Sequence, residues 1–181
     1  VIPNLIPLGS LVRVLSHLLR EGVPIRDLRT ILETIADHAA TTKDPDILTE
    51  VVRQSLGRTI TKQYLAPDGS LPIIGLDPRL DRTLADQANA AGQGSQWAPD
   101  PLVAQKLLAA LKQAAERMVG RGHQPVILCS PSLRRHLRKL TDRILHSVPI
   151  LGLNEVDSVT RLQALETVRL DLEGSDTRSL A

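Results

Sequence analysis

The chain of 181 residues is long enough for one large domain or two small ones, at ~100–200 residues per domain. Its 42% hydrophobic and 23% charged residues exclude wholesale disorder, and 11 Gly and 12 Pro scattered without period exclude a fibrous class. A formal net charge of +2, with one Trp, one Tyr and no Phe, means an aliphatic core and no aromatic platform for stacking single-stranded bases.

The sequence pI of about 9.0 reflects an Arg-rich, Glu-poor balance and is not by itself a nucleic-acid signature. The single cysteine, Cys129, excludes an internal disulfide and is compatible with a reducing compartment. No run approaches the ~18 apolar residues of a membrane span, and no charged-then-apolar leader opens the chain. Val1–Leu8 reads like the interior of a polypeptide, so a piece of a longer protein is expected.

From Gly9 to Tyr64 the pattern is helical. Leu11, Leu15, Leu18 and Leu19 share a face behind a Ser10 cap, and Gly22 breaks that helix. Pro24 suits the first turn of a second helix, in which Leu28, Ile31, Leu32 and Ile35 recur at helical spacing. Asp44-Pro45 opens a third, a capping residue followed by a proline whose missing N–H costs nothing there. Leu48, Val52, Leu56 and Ile60 then recur every four residues. None of the three helices can stand alone, so their apolar stripes must face one another or a partner.

Pro67-Asp68-Gly69-Ser70 is a turn and a boundary. Beyond it, Leu71–Leu76, Val126–Cys129, Val148–Leu153 and Thr160–Leu170 are strand candidates. Asp77-Pro78, Asp100-Pro101 and Ser130-Pro131 predict helices over Pro78–Ala90, Pro101–Val119 and Pro131–Leu145. Gly92–Pro99 reads as a polar loop. The expected fold is mixed α/β (α+β): a three-helix subdomain, then a small α/β subdomain with a mixed sheet. Its expected divisions are a lead-in over 1–8, helices over 9–66, the α/β part over 67–170 and a polar tail over 171–181.

Chemistry is sparse. His17, His38, His123, His136 and His146 show no metal-ligand spacing, so no metal and no cofactor is expected. Cys129 precedes a helix start, where a thiol can be activated, but no His lies near it in sequence, and a small buried apolar role fits better. Ser130 and Ser132 lack the GxSxG elbow, and Ser130 reads as a helix cap. Neither a phosphate loop nor a dinucleotide fingerprint is present. No catalytic residue is assigned, and the chain is expected not to be an enzyme.

Charge is the stronger feature. Arg121–His146 carries six Lys/Arg against one acid, a local +5, with Arg134, Arg135, Arg138, Lys139 and Arg143 in one predicted helix. Leu133, Leu137, Leu140 and Ile144 form that helix's apolar stripe, which should turn Arg135, Arg138 and Lys139 outward. The basic face is either simply solvated or offered to phosphates, an acidic membrane surface or an acidic partner helix.

Gly22–Ala39, reading GVPIRDLRTILETIADHA, and Thr42–Ile60, reading TKDPDILTEVVRQSLGRTI, resemble signature blocks of the FlhA/InvA (FHIPEP) family of type III secretion export-gate proteins. Ile74–Asp77, Cys129–Leu137 and Leu151–Val156 are similar to later blocks. Ile25–Leu28 and Lys43–Pro45 resemble the flagellar branch, since virulence members more often carry Asn at the position of Asp27.

The resemblance implies the last two subdomains of a cytoplasmic region, a ring-building helical one and a terminal α/β one. The parent would be an inner-membrane protein whose export gate acts as a docking platform rather than an enzyme. Implied partners are export chaperone–substrate complexes, export ATPase-complex components and neighbouring copies in a ring. The piece alone is expected to be monomeric, and nucleic acid is not an expected partner. Candidate interaction residues are Arg26, Asp27, Arg29 and Glu33 in the helical part, and Arg135, Arg138 and Lys139 in the basic helix. A virulence-secretion homologue and a nucleic-acid module using helix 131–145 stand as alternatives.

Overall fold

A computed structural model describes residues 4–91 and 97–171. Gly92–Gln96 of the expected loop and 172–181 of the expected tail lie outside the described residues. The chain forms two units. One runs to Leu65 and takes in Asn154–Thr160; the other runs from Ala66 to Leu153 and resumes at Arg161.

In the helical unit, α1 spans Leu8–Arg20. Ser10 does not cap it: its N–H already bonds the Pro7 carbonyl at 3.0 Å, which puts Ser10 inside the first turn. The buried face is Leu11, Val14 and Leu18, and Leu19 is exposed, so the stripe is rotated from the expected one. Gly22, at φ +70, ends the helix, and the Val23 N–H reaches back to the Leu18 carbonyl at 2.9 Å.

The second helix, α2 (Leu28–His38), starts later than Pro24 suggested. Asp27 accepts from the Thr30 N–H at 3.1 Å and from its hydroxyl at 2.7 Å, and this cap outcompetes the proline as a start signal. The third helix is interrupted at Leu56, giving α3 (Pro45–Ser55) and α4 (Gly57–Lys62), so four helices stand where three were expected. The four-residue stripe survives the break, with Leu48, Val52, Leu56 and Ile60 all buried.

The second unit orders β1 (Leu71–Leu76), α5 (Pro78–Ala90), α6 (Pro101–Gly120), β2 (Ile127–Cys129), α7 (Pro131–Thr141), β3 (Ile150–Gly152) and β4 (Leu162–Val168). Asp77 and Asp100 cap α5 and α6 through Arg79 N–H at 3.0 Å and Leu102 N–H at 2.9 Å. The sheet order is β3-β2-β1-β4 and every described pairing is parallel, where a mixed sheet was expected. The reason lies in the connections: α5 with α6 crosses over from β1 to β2 and α7 from β2 to β3, and residues 153–161 carry the chain from β3 to β4. Ile73 pairs with Ala164 and Ile74 with Glu166, so Leu165 is an extra residue that kinks edge strand β4.

An aliphatic core fills this unit, centred on Ile74, Leu84, Leu107, Leu111, Met118, Ile127 and Leu137. Trp97 lies half-buried against it, edge-on to His136 at 6.0 Å. No helix among the described residues is long and apolar enough to cross a membrane.

Candidate interaction surfaces

On α2 the expected residues are where the sequence put them. Arg26, Asp27, Arg29 and Glu33 are all exposed. Asp27 serves the helix as its cap, and its hydrogen bonds from Thr30 hold the carboxyl below its ordinary value. Arg29 Nε donates to Glu33 Oε1 at 2.8 Å, with both side chains largely in solvent. An exposed pair one turn apart adds little stability and leaves both groups reachable by a partner.

The basic helix is different. α7 ends at Thr141 rather than Leu145, because the chain turns there: the Ile144 and Leu145 N–H groups both bond the Thr141 carbonyl, at 3.0 and 2.7 Å. This shifts the phase, so Leu145 is buried and Ile144 is 51% exposed. Arg138 is not outward. It is 9% exposed, and its Nη1 and Nη2 donate to the carbonyls of Val148 at 3.0 Å and Leu145 at 3.1 Å. These carbonyls lie beyond the end of α7 without ladder partners in the helix, and a guanidinium is the side chain that can supply several donors at that reach.

Arg134 is 2% exposed and gives Nη1 to the Ile150 carbonyl at 3.4 Å. Arg135 is half-buried, while Lys139 and Arg143 are exposed. Arg121, also counted in the basic span, pairs with Glu166 at 3.2 Å beside Arg117 at 2.8 Å. The hydrogen bond from Arg117 holds the Glu166 carboxyl down and raises Arg117 in turn. The outward positive face is therefore narrower than the sequence count suggests.

Ser130 stands at the start of α7 but does not cap it; its N–H and hydroxyl both go to the Asp81 carboxylate on α5. Cys129 is buried in β2, with Sγ 3.9 Å from the Leu151 carbonyl oxygen, as a small core residue. Among the described residues no group of His, Cys, Asp or Glu could hold a metal ion.

One constellation escaped sequence reasoning. Arg53 on α3 is 2% exposed, and its Nε and Nη2 grip the two Glu155 carboxylate oxygens at 2.6 and 3.2 Å. Its Nη1 reaches Glu21 Oε2 at 3.3 Å. The only signal was a charge four residues after Thr49 and directly beside the buried Val52; the partner 102 positions away left no local trace. Tyr64 sits half-buried nearby, where burial raises its hydroxyl above the usual value.

The FHIPEP family profile matches residues 1–161. The chain belongs to the FHIPEP family. Among FHIPEP relatives, "Flagellar biosynthesis protein FlhA" of Salmonella typhimurium is 39% identical over 167 residues, covering 92% of this chain and 23% of that protein. CdsV of Chlamydia pneumoniae, solved in a complex with CdsO, superposes with a TM-score of 0.81 at 30% identity, over 92% of this chain and 49% of that one. Nonameric SctV-C of EPEC gives 0.79 at 30%, over 91% and 49%. The FHIPEP chain described here spans about a quarter of the length of the curated relatives it matches. Its two signature blocks form the turn after α1 with α2, and α3 with most of α4, so both lie in the helical unit.

Proposed function

We propose that this chain is part of the cytoplasmic docking platform of a flagellar type III export gate, a non-enzymatic surface that receives export chaperone–substrate complexes and export-apparatus components. The observation that carries the reading is the 39% identity, over nearly the whole chain, to a protein named for flagellar biosynthesis. The likeness to a nonameric SctV-C supports self-association of the parent protein into a ring at the inner face of the membrane.

In this reading the rim of α2 meets a neighbouring copy. Arg26 is its sharpest probe, because Asp27 caps the helix and Arg29 pairs with Glu33. Charges at such a rim fix register more than they add affinity. The outward part of α7, Lys139 with Arg135, steers an acidic partner and should raise its association rate at low salt. The isolated chain should be monomeric, because a closed ring needs head-to-tail patches and most of the relatives' length is outside it.

The test is deletion of the parent gene followed by assay of flagellar protein export and motility. Loss of both, restored by the intact gene, is the expected result. A motile strain that fails instead to secrete virulence proteins would move the chain to the second reading, a virulence-secretion gate, which the 30% identity to CdsV and SctV-C favours. The nucleic-acid alternative is weakened by the inward placement of Arg134 and Arg138. Retention on heparin with a steep salt slope and specific binding to DNA or RNA would revive it.

A further inference from the structure

Between β3 and β4 the chain runs through Asn154–Thr160, and this segment is built into the helical unit. Segments that complete a unit usually do so by burying apolar side chains. Here the one buried residue of the segment is Glu155, while Val159 is 85% exposed. Polar contacts fix the segment in place. Arg53 holds both Glu155 oxygens, the Thr61 hydroxyl donates to the Glu155 carbonyl at 3.1 Å, and Arg58 reaches Asp157 at 3.1 Å. Gly57, the first residue of α4, makes the close approach possible: a Cβ there would run into the Glu155 carbonyl oxygen and lie 2.9 Å from its Cα.

We propose that Asn154–Thr160 is a releasable polar clasp on the α3–α4 joint, locked in register by Arg53 and opening as a unit while the aliphatic stripes of α1–α4 stay packed. A contact held by a buried charge pair specifies one position strictly but adds little net stability, because desolvation of both charges offsets their attraction. Leu48, Val52, Leu56 and Ile60 are buried on α3 and α4, and α3 packs on α1 and α2, so opening need not unfold the helices. Glu21 lies within reach of the same guanidinium, so Arg53 keeps a carboxylate partner when Glu155 leaves. That second partner makes the open state accessible, since a bare buried charge would forbid it.

Hydrogen exchange followed by mass spectrometry on the whole chain and on Glu155→Gln and Gly57→Ala tests this. In both variants amides of 154–160 should exchange at least about tenfold faster, with those of α1–α4, β1 and β2 unchanged. If either variant fails to fold, Arg58→Ala removes only a solvent-exposed partner and should give the same pattern at about twofold. Acceleration spread equally through α1–α4, or through β1 and β2, would overturn the proposal by making the segment integral to the fold around it. Unchanged exchange across 154–160 in every folded variant would overturn it too.

Discussion

On α2 the charged side chains stay at the rim, and the buried face is Ile31, Thr34 and Ile35. On α7 two of the arginines, Arg134 and Arg138, turn inward and supply donors to backbone carbonyls. Both helices read as charged faces in the sequence. An arginine beside an apolar stripe belongs to the core when carbonyls with room for a further donor lie within its reach, and to the surface when the nearby carbonyls are already met. At the C-terminal end of α2 the Ala39 N–H bonds the Ile35 carbonyl at 2.9 Å, and the Thr41 and Thr42 N–H groups bond the His38 carbonyl at 3.0 Å.

The largest effect is expected at the apolar base of α7. Leu137 is fully buried, so Leu137→Ala should cost ~2–5 kcal/mol through the cavity it leaves, read as a lowered denaturation midpoint with unchanged slope. A cost near zero would mean that α7 is not packed on this core.

Arg138→Ala should cost about 1–3 kcal/mol, because the Val148 carbonyl loses the guanidinium and the Leu145 carbonyl keeps only the Val148 N–H. The same substitution at exposed Lys139 should change stability little. Equal effects at the two positions would erase the distinction between inward and outward charge.

For Asp27 the test is pH. Its folded carboxyl lies below the ordinary 3.8, so its contribution is full above that pH and is lost as pH falls through the lowered folded value. Asp27→Asn should therefore be less stable than the parent chain at neutral pH, with the gap closing in acid. A gap that stays constant with pH would show that the charge does not matter to the cap. At the small end, Arg29→Ala should cost only ~0.2–0.5 kcal/mol, the worth of an exposed pair one turn apart.

Much of the fold was written locally. Leu71–Leu76 and Pro78–Ala90 fall where the apolar run and the Asp-Pro cap placed them, because both signals act within a few residues. Asp44-Pro45 and Asp100-Pro101 open helices for the same reason. What was not legible depends on distant chain. Parallel pairing is set by crossovers, the inward turn of Arg138 by carbonyls after a turn, and the Arg53–Glu155 pair by a partner in another part of the sequence. The exposure of Arg29 and Glu33 was legible because it follows from helical phase, whereas Arg138 was misplaced because charge gives no hint of which carbonyls can take a further donor.

Whether the reachable charge of the α2 rim serves assembly rather than folding is read from Arg26→Glu in the full-length parent, with export of flagellar proteins and the melting temperature of this region followed together. Impaired export with a melting temperature nearly unchanged is the expected result. Wild-type export and motility in that variant would mean that the rim charge has no part in assembly.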